Sequence, residues 1–158
     1  MKEIKLTRGK VALVDDEDFE KLEYLKRYKW QFALRGKMEY ATLKVKGKHI
    51  YMHRYILGIT DPSIDVDHKD RNGLNNQKSN LRKANRSENL ANTKSREGSS
   101  SKFMGVHWHK KGSKWTAQIT KNGKITHLGL FKTENEAALA YNAAAKVLHK
   151  SFANINIL

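Results

Sequence analysis

Short apolar segments alternate with polar ones along the first 60 residues of the chain. Ile4–Leu6 and Lys10–Val14 have the two-residue period of strands, whereas apolar residues between Phe19 and Tyr28 recur at helical spacing. Acidic residues are favourable at the positive end of a helix dipole, and Asp15–Asp18 stand directly before this helical run. Three further strands are predicted at Lys29–Leu34, Met38–Val45 and His49–Tyr55. This N-terminal segment is therefore predicted to be small, β-rich and of α+β type.

The last third of the chain has the pattern of a β-hairpin followed by a helix. Apolar and polar residues alternate from Lys114 to Thr120, which is the period of a half-buried strand. Asn122–Gly123 is a favoured two-residue turn, and a second strand follows at Lys124–Phe131. We therefore expect a three-stranded antiparallel sheet in this part of the chain, packed on one helix.

The helix itself has a defined start and an apolar stripe. Thr133 and Glu136 form a capping box, and the helical pattern continues to about His149. The stripe is rich in alanine, which lets a helix lie close to a sheet, and it consists of Ala137, Tyr141, Ala144 and Leu148.

The middle of the chain is rich in turn-forming residues. Residues 61–80 contain one brief strand at Ile64–His68, and Ser87–Thr93 has the pattern of a short helix. Ser95–Lys102 has the composition of a linker. Four segments are therefore predicted, with boundaries at 1–60, 61–93, 94–102 and 103–158.

The composition narrows the possible function classes. The chain has 158 residues, with 31 Lys and Arg against 16 Asp and Glu, a net charge of +15, and no Cys. Disulfide scaffolds, zinc ribbons, iron–sulfur ligation and thiol nucleophiles are therefore excluded. No apolar run approaches the roughly 20 residues of a membrane span, and the first residues lack the apolar stretch of a signal peptide. The positive field favours polyanions, so nucleic acid is the first expected partner and an anionic membrane the second.

The positive charge is concentrated toward both ends of the chain. Residues 1–60 and 98–158 have net charges of +6 and +7, whereas residues 61–97 have only +2. Carboxylates within a field that attracts phosphate indicate a metal site. The acids concerned are Asp61, Asp65, Asp67 and Asp70. The alternative is that they are solvated loop residues.

Four polar residues of the middle segment fit phosphodiester hydrolysis. A carboxylate such as Asp67 with an amide oxygen makes a hard, oxygen-only site that suits Mg²⁺ or Mn²⁺ rather than zinc. A neutral imidazole such as His68 is the natural base for deprotonating water near neutral pH. Neighbours on a strand point to opposite faces, which would place metal and attacking water on opposite sides of a phosphate. Asn80 and Asn89 complete the set.

Three segments of this region resemble the motif of the HNH homing endonucleases, namely Val66–Asn76, Ser79–Arg82 and Ser87–Asn92. In that family a β-hairpin and a helix, the ββα-metal motif, bind one divalent ion. The resemblance implies that Asp67 and Asn89 bind one Mg²⁺ or Mn²⁺ ion and that His68 is the general base. It also implies that Asn80 braces the loop that carries His68. Asn89 occupies a position that is His in the strict motif, and Asn92 is a second candidate ligand.

Five segments toward the C-terminus are similar to the plant ethylene-response-factor (Apetala-two) DNA-binding domain, and they are Gly105–Trp108, Lys114–Ile119, Leu128–Phe131, Glu136–Ala145 and Ala153–Asn156. In that family the sheet enters the major groove and the helix packs behind it. The resemblance assigns six residues to the groove face, namely His107, His109, Lys114, Gln118, Thr120 and His127. Lys110 and Lys111 are expected to contact phosphates nearby. The residues expected to face the helix are Trp115, Ala117, Ile119 and Leu128.

The chain departs from the plant domains in its groove face. Those domains carry arginines at several groove positions, and arginine is the commonest residue that recognises guanine. This chain has His, Gln and Thr instead, so the plant target sequence is not expected to apply. Strict alternation would also place Ile125 on the groove face and Thr126 on the helix-facing side, the reverse of what packing favours.

Met52–Tyr55 resembles the stretch that precedes the motif in HNH homing enzymes. We expect Arg54 to contact a phosphate and His53 to be a packing residue without a catalytic role.

These features together predict a site-specific, homing-type HNH endonuclease that cuts duplex DNA, with nicking of one strand the simpler outcome for a monomer. A dimer is also possible. We expect a phage or mobile-element protein acting in the cytoplasm of a bacterial host cell, without membrane association. The main alternative is a sequence-specific DNA-binding regulator with an inactive nuclease core. A nonspecific nuclease or an RNA-binding protein agrees less well with a dedicated groove-binding sheet.

Overall fold

The computed structural model of the protein describes residues 1–93, 95 and 98–158, and the chain forms two compact units, Met1–Asn85 and Arg86–Leu158. The fold is α+β, with small antiparallel sheets in both units. Three residues of the predicted 94–102 linker, namely Lys94, Arg96 and Glu97, lie outside the described residues. Among the residues that are described, no helix has both the length and the apolar character that crossing a membrane requires.

The N-terminal unit contains seven strands and two helices within residues 1–85, together with short 3-10 turns. The elements are β1 (Lys2–Lys5), β2 (Val11–Val14), α1 (Asp16–Tyr24), β3 (Gln31–Arg35), β4 (Met38–Val45), β5 (Lys48–Tyr51), α2 (Met52–Ile56), β6 (Asp65–His68) and β7 (Leu81–Ala84). Strands β1 and β2 form one hairpin, β3, β4 and β5 form a three-stranded sheet, and β6 pairs with β7.

A single apolar core joins the first five strands and both helices of this unit. Leu22 of α1, Leu43 of β4 and Met52 of α2 are completely buried in it. The indole nitrogen of Trp30 donates a hydrogen bond to the carbonyl oxygen of Leu22, so the polar atom of this buried ring is satisfied. The core therefore fixes α1 and α2 against β4.

The predicted strand His49–Tyr55 is wrong in its second half. The strand ends at Tyr51, and a short helix begins at Met52. Met52 and His53 are both buried. Neighbouring residues of a strand point to opposite faces, so only the helical turn can direct both side chains into the protein at this edge.

The helix predicted up to Tyr28 is also shorter than expected. Regular α-helix ends at Tyr24, and the chain tightens into a 3-10 turn over Leu25–Tyr28. Lys29 then adopts a positive φ of 51°, so strand β3 begins only at Gln31.

The described residues of the C-terminal unit form two helices and a three-stranded sheet of order β10-β9-β8. The elements are α3 (Arg86–Ala91), β8 (Val106–His109), β9 (Lys114–Lys121), β10 (Lys124–Phe131) and α4 (Glu134–His149). The predicted capping box is confirmed, because the Thr133 side chain accepts from the Glu136 N–H and the Glu136 carboxylate accepts from the Thr133 N–H.

Small side chains let α4 pack closely on the sheet. Ala117 of β9 and Ala137 and Ala138 of α4 are completely buried against one another and Phe103. A second apolar cluster forms where Ile119 meets Tyr141 and Ala145, with further apolar residues around it. The face of the sheet opposite α4 is here called the outer face.

Strand β10 contains a β-bulge that changes the alternation of its side chains after His127. His127 pairs with Gln118, but the next pair is Gly129 with Ala117, so Leu128 is an extra residue. Leu128 therefore packs against α4, while His127 stays on the outer face with Gln118. Ile125 and Thr126 precede the bulge and pair with Thr120 and Ile119, so they keep the faces that strict alternation assigns to them.

Candidate active site and nucleic-acid interface

The hairpin of β6 and β7 carries the two adjacent residues on which the predicted chemistry depends. Asp67 and His68 end strand β6, opposite Arg82 and Leu81 of β7. Both side chains are buried, each with a fractional exposure of 4%. Because an ionisable side chain is seldom buried without a partner, the groups around each of these residues define the site.

Arg82 holds the carboxylate of Asp67. Its Nε and Nη2 atoms lie 2.6 Å and 2.5 Å from the same oxygen, Oδ2 of Asp67. The two residues are direct cross-strand partners, so the hairpin register itself brings the opposite charges together. The Asp67 carboxylate is thereby paired and oriented within a buried site.

His68 lies among other rings on the N-terminal unit. Its ring centroid is 5.1 Å from that of His53, with the two planes at 90°, and 6.1 Å from that of Tyr40. Burial lowers the pKa of His68 below its ordinary value, although the Asn76 side chain and the Asp70 and Asp67 carboxylates act in the opposite direction. The imidazole therefore stays neutral at neutral pH, which is the form that a general base requires.

His53 is a neighbour of His68 whose importance the sequence did not indicate. It is 7% exposed, its ring stacks on that of Tyr51 at 5.4 Å, and its Nδ1 has no hydrogen-bond partner among the described residues. Burial, with smaller contributions from His68 and Arg54, lowers the pKa of His53 to about 3. A second neutral imidazole thus stands edge-on to the predicted base.

His53 should make folding sensitive to acid. The unfolded chain binds a proton at His53 below pH 6.5, but the folded chain does not until about pH 3, so stability falls as the pH drops through this window. We expect a loss on the order of 1 kcal/mol per pH unit below pH 6.5, and a smaller loss in a His53→Phe variant. Urea denaturation at pH 7, 6 and 5 measures the slope. His49→Phe, at an exposed position, is the control, and an unchanged slope in His53→Phe would contradict the assignment.

Asn80 ties the loop after His68 together. Its Oδ1 accepts from the Asp70 N–H at 3.0 Å, and its Nδ2 donates to the Asp70 carboxylate at 2.9 Å and to the Asn75 carbonyl at 2.8 Å. Partial burial raises the pKa of Asp70, but hydrogen bonds from the Asn72 N–H, Asn75 and Asn80 outweigh it and lower the pKa. The side chains of this loop therefore form a connected network that holds the chain leaving His68.

The N-terminal elements hold the same loop from the other side. Strand β2 pairs with it through hydrogen bonds from the Leu13 N–H to the Leu74 carbonyl and from the Asn76 N–H to the Leu13 carbonyl. The Asp15 carboxylate, just before α1, accepts from the Lys78 N–H at 2.7 Å. The ammonium of Lys78 also lies 2.6 Å from Glu17, so two acidic residues at the start of α1 bind this loop.

Arg54 acts on the strand that leads into the site. Its guanidinium donates to the carbonyl oxygens of Ile64 at 2.7 Å and of Asp61 at 2.5 Å. Asp61 is exposed and accepts from the Ser63 N–H and hydroxyl, which agrees with a solvated loop residue. Arg54 thus fixes the entry to β6, and its contact with a phosphate stays a prediction.

Asn89 belongs to the C-terminal unit, where it lies on α3. Its side chain is half-buried, and that of Asn92 is 8% exposed. Within this unit the Ser87 hydroxyl accepts from the Asn122 N–H, and the Thr93 carbonyl accepts from the Asn154 side chain. Helix α3 is therefore fastened to the turn between β9 and β10, and the choice between Asn89 and Asn92 stays open.

Paired residues of neighbouring strands share a face of the sheet, so the side chains of the outer face form rows across β8, β9 and β10, here called the grid. All six predicted groove residues lie on it or at its edge, together with Ile125, which strict alternation places there, and with two residues that the sequence did not assign to it. The rows are Thr120 with Ile125, Gln118 with His127, Thr116 with His107 and Leu130, and Lys114 with His109. Lys110 and Lys111 are exposed in the 3-10 turn between β8 and β9.

Two histidines of this grid are held as donors. The Nδ1 of His109 accepts from the Gly112 N–H at 3.0 Å, and the Nδ1 of His127 accepts from the Gly129 N–H at 3.1 Å. A neutral imidazole that accepts at Nδ1 carries its proton on Nε2. Both rings can therefore donate to acceptors such as phosphate oxygens or base edges.

A cleft of about 970 Å³ opens within the C-terminal unit beside this grid. Gln118, Thr120 and Ile125 of the sheet line it together with Ser87 and Leu90 of α3. A ligand on the outer face would therefore also meet α3.

Comparison with known proteins adds two kinds of finding. The family model described as AP2 domain matches residues 101–151. A protein of Acanthamoeba polyphaga mimivirus named as an uncharacterized HNH endonuclease is 34% identical over 154 residues, covering 94% of this chain and 76% of that protein. Protein 3.8 of Escherichia phage T7 is 32% identical over 81 residues, covering 51% of this chain and 67% of that protein. No solved structure matches the chain.

Proposed function

Since this chain belongs to the HNH endonuclease family and carries an AP2 domain, we propose that it is a site-specific, homing-type endonuclease that hydrolyses phosphodiester bonds in duplex DNA. The observation that carries the proposal is the buried pair Asp67 and His68 at the end of β6, with Asn80 bracing the loop that follows. The phage relative supports a phage or mobile-element origin and action in the cytoplasm of a bacterial cell.

The proposed metal ligands are Asp67 and Asn89, which would complete a ββα-metal motif from β6, β7 and α3. The donor chemistry fits, because a buried carboxylate and an amide oxygen provide the hard oxygen ligands that Mg²⁺ or Mn²⁺ prefers. When bound, one such ion would neutralise charge on the phosphate and the leaving oxygen. Arg82 orients the Asp67 carboxylate through two contacts to its Oδ2 atom.

The proposed general base is His68. A neutral imidazole can take the proton of the attacking water, and the burial that lowers the His68 pKa keeps it in that form. His53, Tyr40 and the Asn80 network restrict the position of the ring and of the chain around it. This arrangement favours in-line attack on a phosphate at the end of β6.

DNA binding is proposed to lie with the outer face of the C-terminal sheet. The residues from 98 onward carry nine lysines, no arginine and only two acids, which suits attraction to the phosphate backbone. Lys110 and Lys111 would set the position on the duplex, while Gln118 and its neighbours contact base edges. We propose a monomer, whose one motif per chain cuts one strand.

Cleavage of a random-sequence duplex pool tests this function. We expect breaks in one strand, clustered at one sequence, in the presence of Mg²⁺ or Mn²⁺, and none with a chelator or in an Asp67→Ala variant. Mapping the ends on both strands measures the result. Selective binding without any cleavage would instead favour the regulator with an inactive nuclease core, and cleavage without sequence preference would contradict the role of the sheet.

A further inference from the structure

We propose that the outer face of the C-terminal sheet recognises thymine through its C5-methyl group, with Ile125 and Leu130 as the contacting residues. This inference rests on the proposed function, in which that face enters the major groove of duplex DNA. It adds a substrate preference that the family relationship does not supply.

The β-bulge places both residues on the same face. Ile125 and Leu130 are five positions apart, so in a regular strand their side chains would point to opposite sides of the sheet. The extra residue Leu128 shifts the alternation by one. Ile125 therefore pairs with Thr120, and Leu130 with Thr116, both in the outer grid.

The two side chains are exposed rather than packed. Ile125 is 61% and Leu130 is 44% exposed, on a face that otherwise carries Lys, His, Gln and Thr side chains. Contact with an apolar group would remove this surface from water, and in the major groove that group is the thymine methyl. The bulge thus directs two apolar residues toward the surface proposed to meet the bases.

The polar neighbours favour the same kind of target. Arginine, the commonest residue that recognises guanine, does not occur in residues 98–158. Gln118 lies in the row between the two apolar residues, and a glutamine can pair with the N6 and N7 atoms of adenine. A face with this composition is better suited to A·T pairs than to G·C pairs.

The spacing of the contacts can also be estimated. With the bulge, Ile125 and Leu130 are separated by four paired positions, which is about 13 Å along the strand. If the strand follows the groove, this distance corresponds to about four base pairs. We therefore expect two methyl-sensitive positions with this separation.

The test removes single methyl groups from the DNA. The full chain selects its binding site from a random duplex pool, and each thymine of that site is then replaced by uracil, which lacks only the methyl. We expect affinity to fall about three- to ten-fold at two positions and to change little elsewhere. In the Ile125→Ala variant, replacing thymine by uracil at one of these two positions should no longer lower the affinity. In the Leu130→Ala variant, the same should hold at the other position.

Leu139→Ala is the matched control, because Leu139 lies on α4 and is 54% exposed, yet does not belong to the outer face. It should keep both sensitive positions. Uracil tolerated at every position of a selected site would overturn the inference while leaving sequence-specific binding intact, as would full sensitivity in both alanine variants. A chain that selects no duplex at all would contradict the proposed function itself, and this inference with it.

Discussion

Replacing His68 with alanine is expected to abolish the metal-dependent nicking of supercoiled plasmid DNA, while binding to duplex DNA stays within a few-fold of wild type. The imidazole is buried and kept neutral by its surroundings, which is the form that a general base requires. General bases of this kind contribute about 10²- to 10⁴-fold to the rate. The ratio of nicked to supercoiled plasmid over time measures the loss.

The control for this substitution is His49→Ala, which removes an exposed imidazole from the same unit. Because His68 packs against His53, the thermal transition of each variant should also be recorded. A folded His68→Ala protein that keeps a tenth or more of the wild-type nicking rate would rule out His68 as the base.

Replacing Gly105 with alanine is expected to unfold or severely weaken the C-terminal unit. Gly105 has a positive φ of 71°, and a Cβ atom there would collide with the carbonyl oxygen of Gln118 and with the ring of Tyr141. Backbone strain and overpacking both destabilise the variant, so we expect its free energy of unfolding to fall by at least about 3 kcal/mol. Such a loss is a large part of the stability of a small domain.

Gly123→Ala provides the comparison, because Gly123 also has a positive φ, of 77°, but its Cβ would meet nothing within 4 Å. We expect the free energy of unfolding of this variant to fall by about 1 kcal/mol or less. Urea denaturation followed by tryptophan fluorescence reports on the unit, since Trp108 and Trp115 lie on its sheet. Equal losses in the two variants would show that the close approach at Gly105 does not matter.

The parts of the fold that the sequence predicted well depend on local signals. The turn at Asn122–Gly123 and the capping box of Thr133 and Glu136 specify their own geometry within a few residues. Alternation in Lys114–Thr120 identified the strand, because one side of it is buried against α4. Local chemistry and tertiary packing agree in this region.

The features that the sequence did not reveal depend on tertiary contacts. Met52 begins a helix because it and His53 are buried together, and no pattern of period two or 3.6 can be read from five residues. The short strand Leu81–Ala84 is specified by pairing with β6, and its sequence alone would also suit a loop. The bulge at Leu128 likewise becomes visible only when the register is known.

The candidate site shows the same division. The motif identified Asp67, His68 and Asn80, but it gave no indication that Arg82 would pair with Asp67 or that Asp15 would bind the backbone of Lys78. Those partners come from another strand or from a segment more than sixty residues away. Sequence spacing indicates which side chains carry chemistry, whereas the groups that hold them are set by the three-dimensional packing.

The position of α3 has a consequence for how such proteins exchange specificity. A chimaera joined within Ser95–Lys102 would separate this helix from the sheet turn to which Ser87 is bonded. A junction at Asn85 would keep helix and sheet together. Recombination that preserves the native contacts would therefore transfer Asn89 along with the outer face of the sheet, so that the proposed metal ligand and the proposed DNA-binding surface would be inherited together.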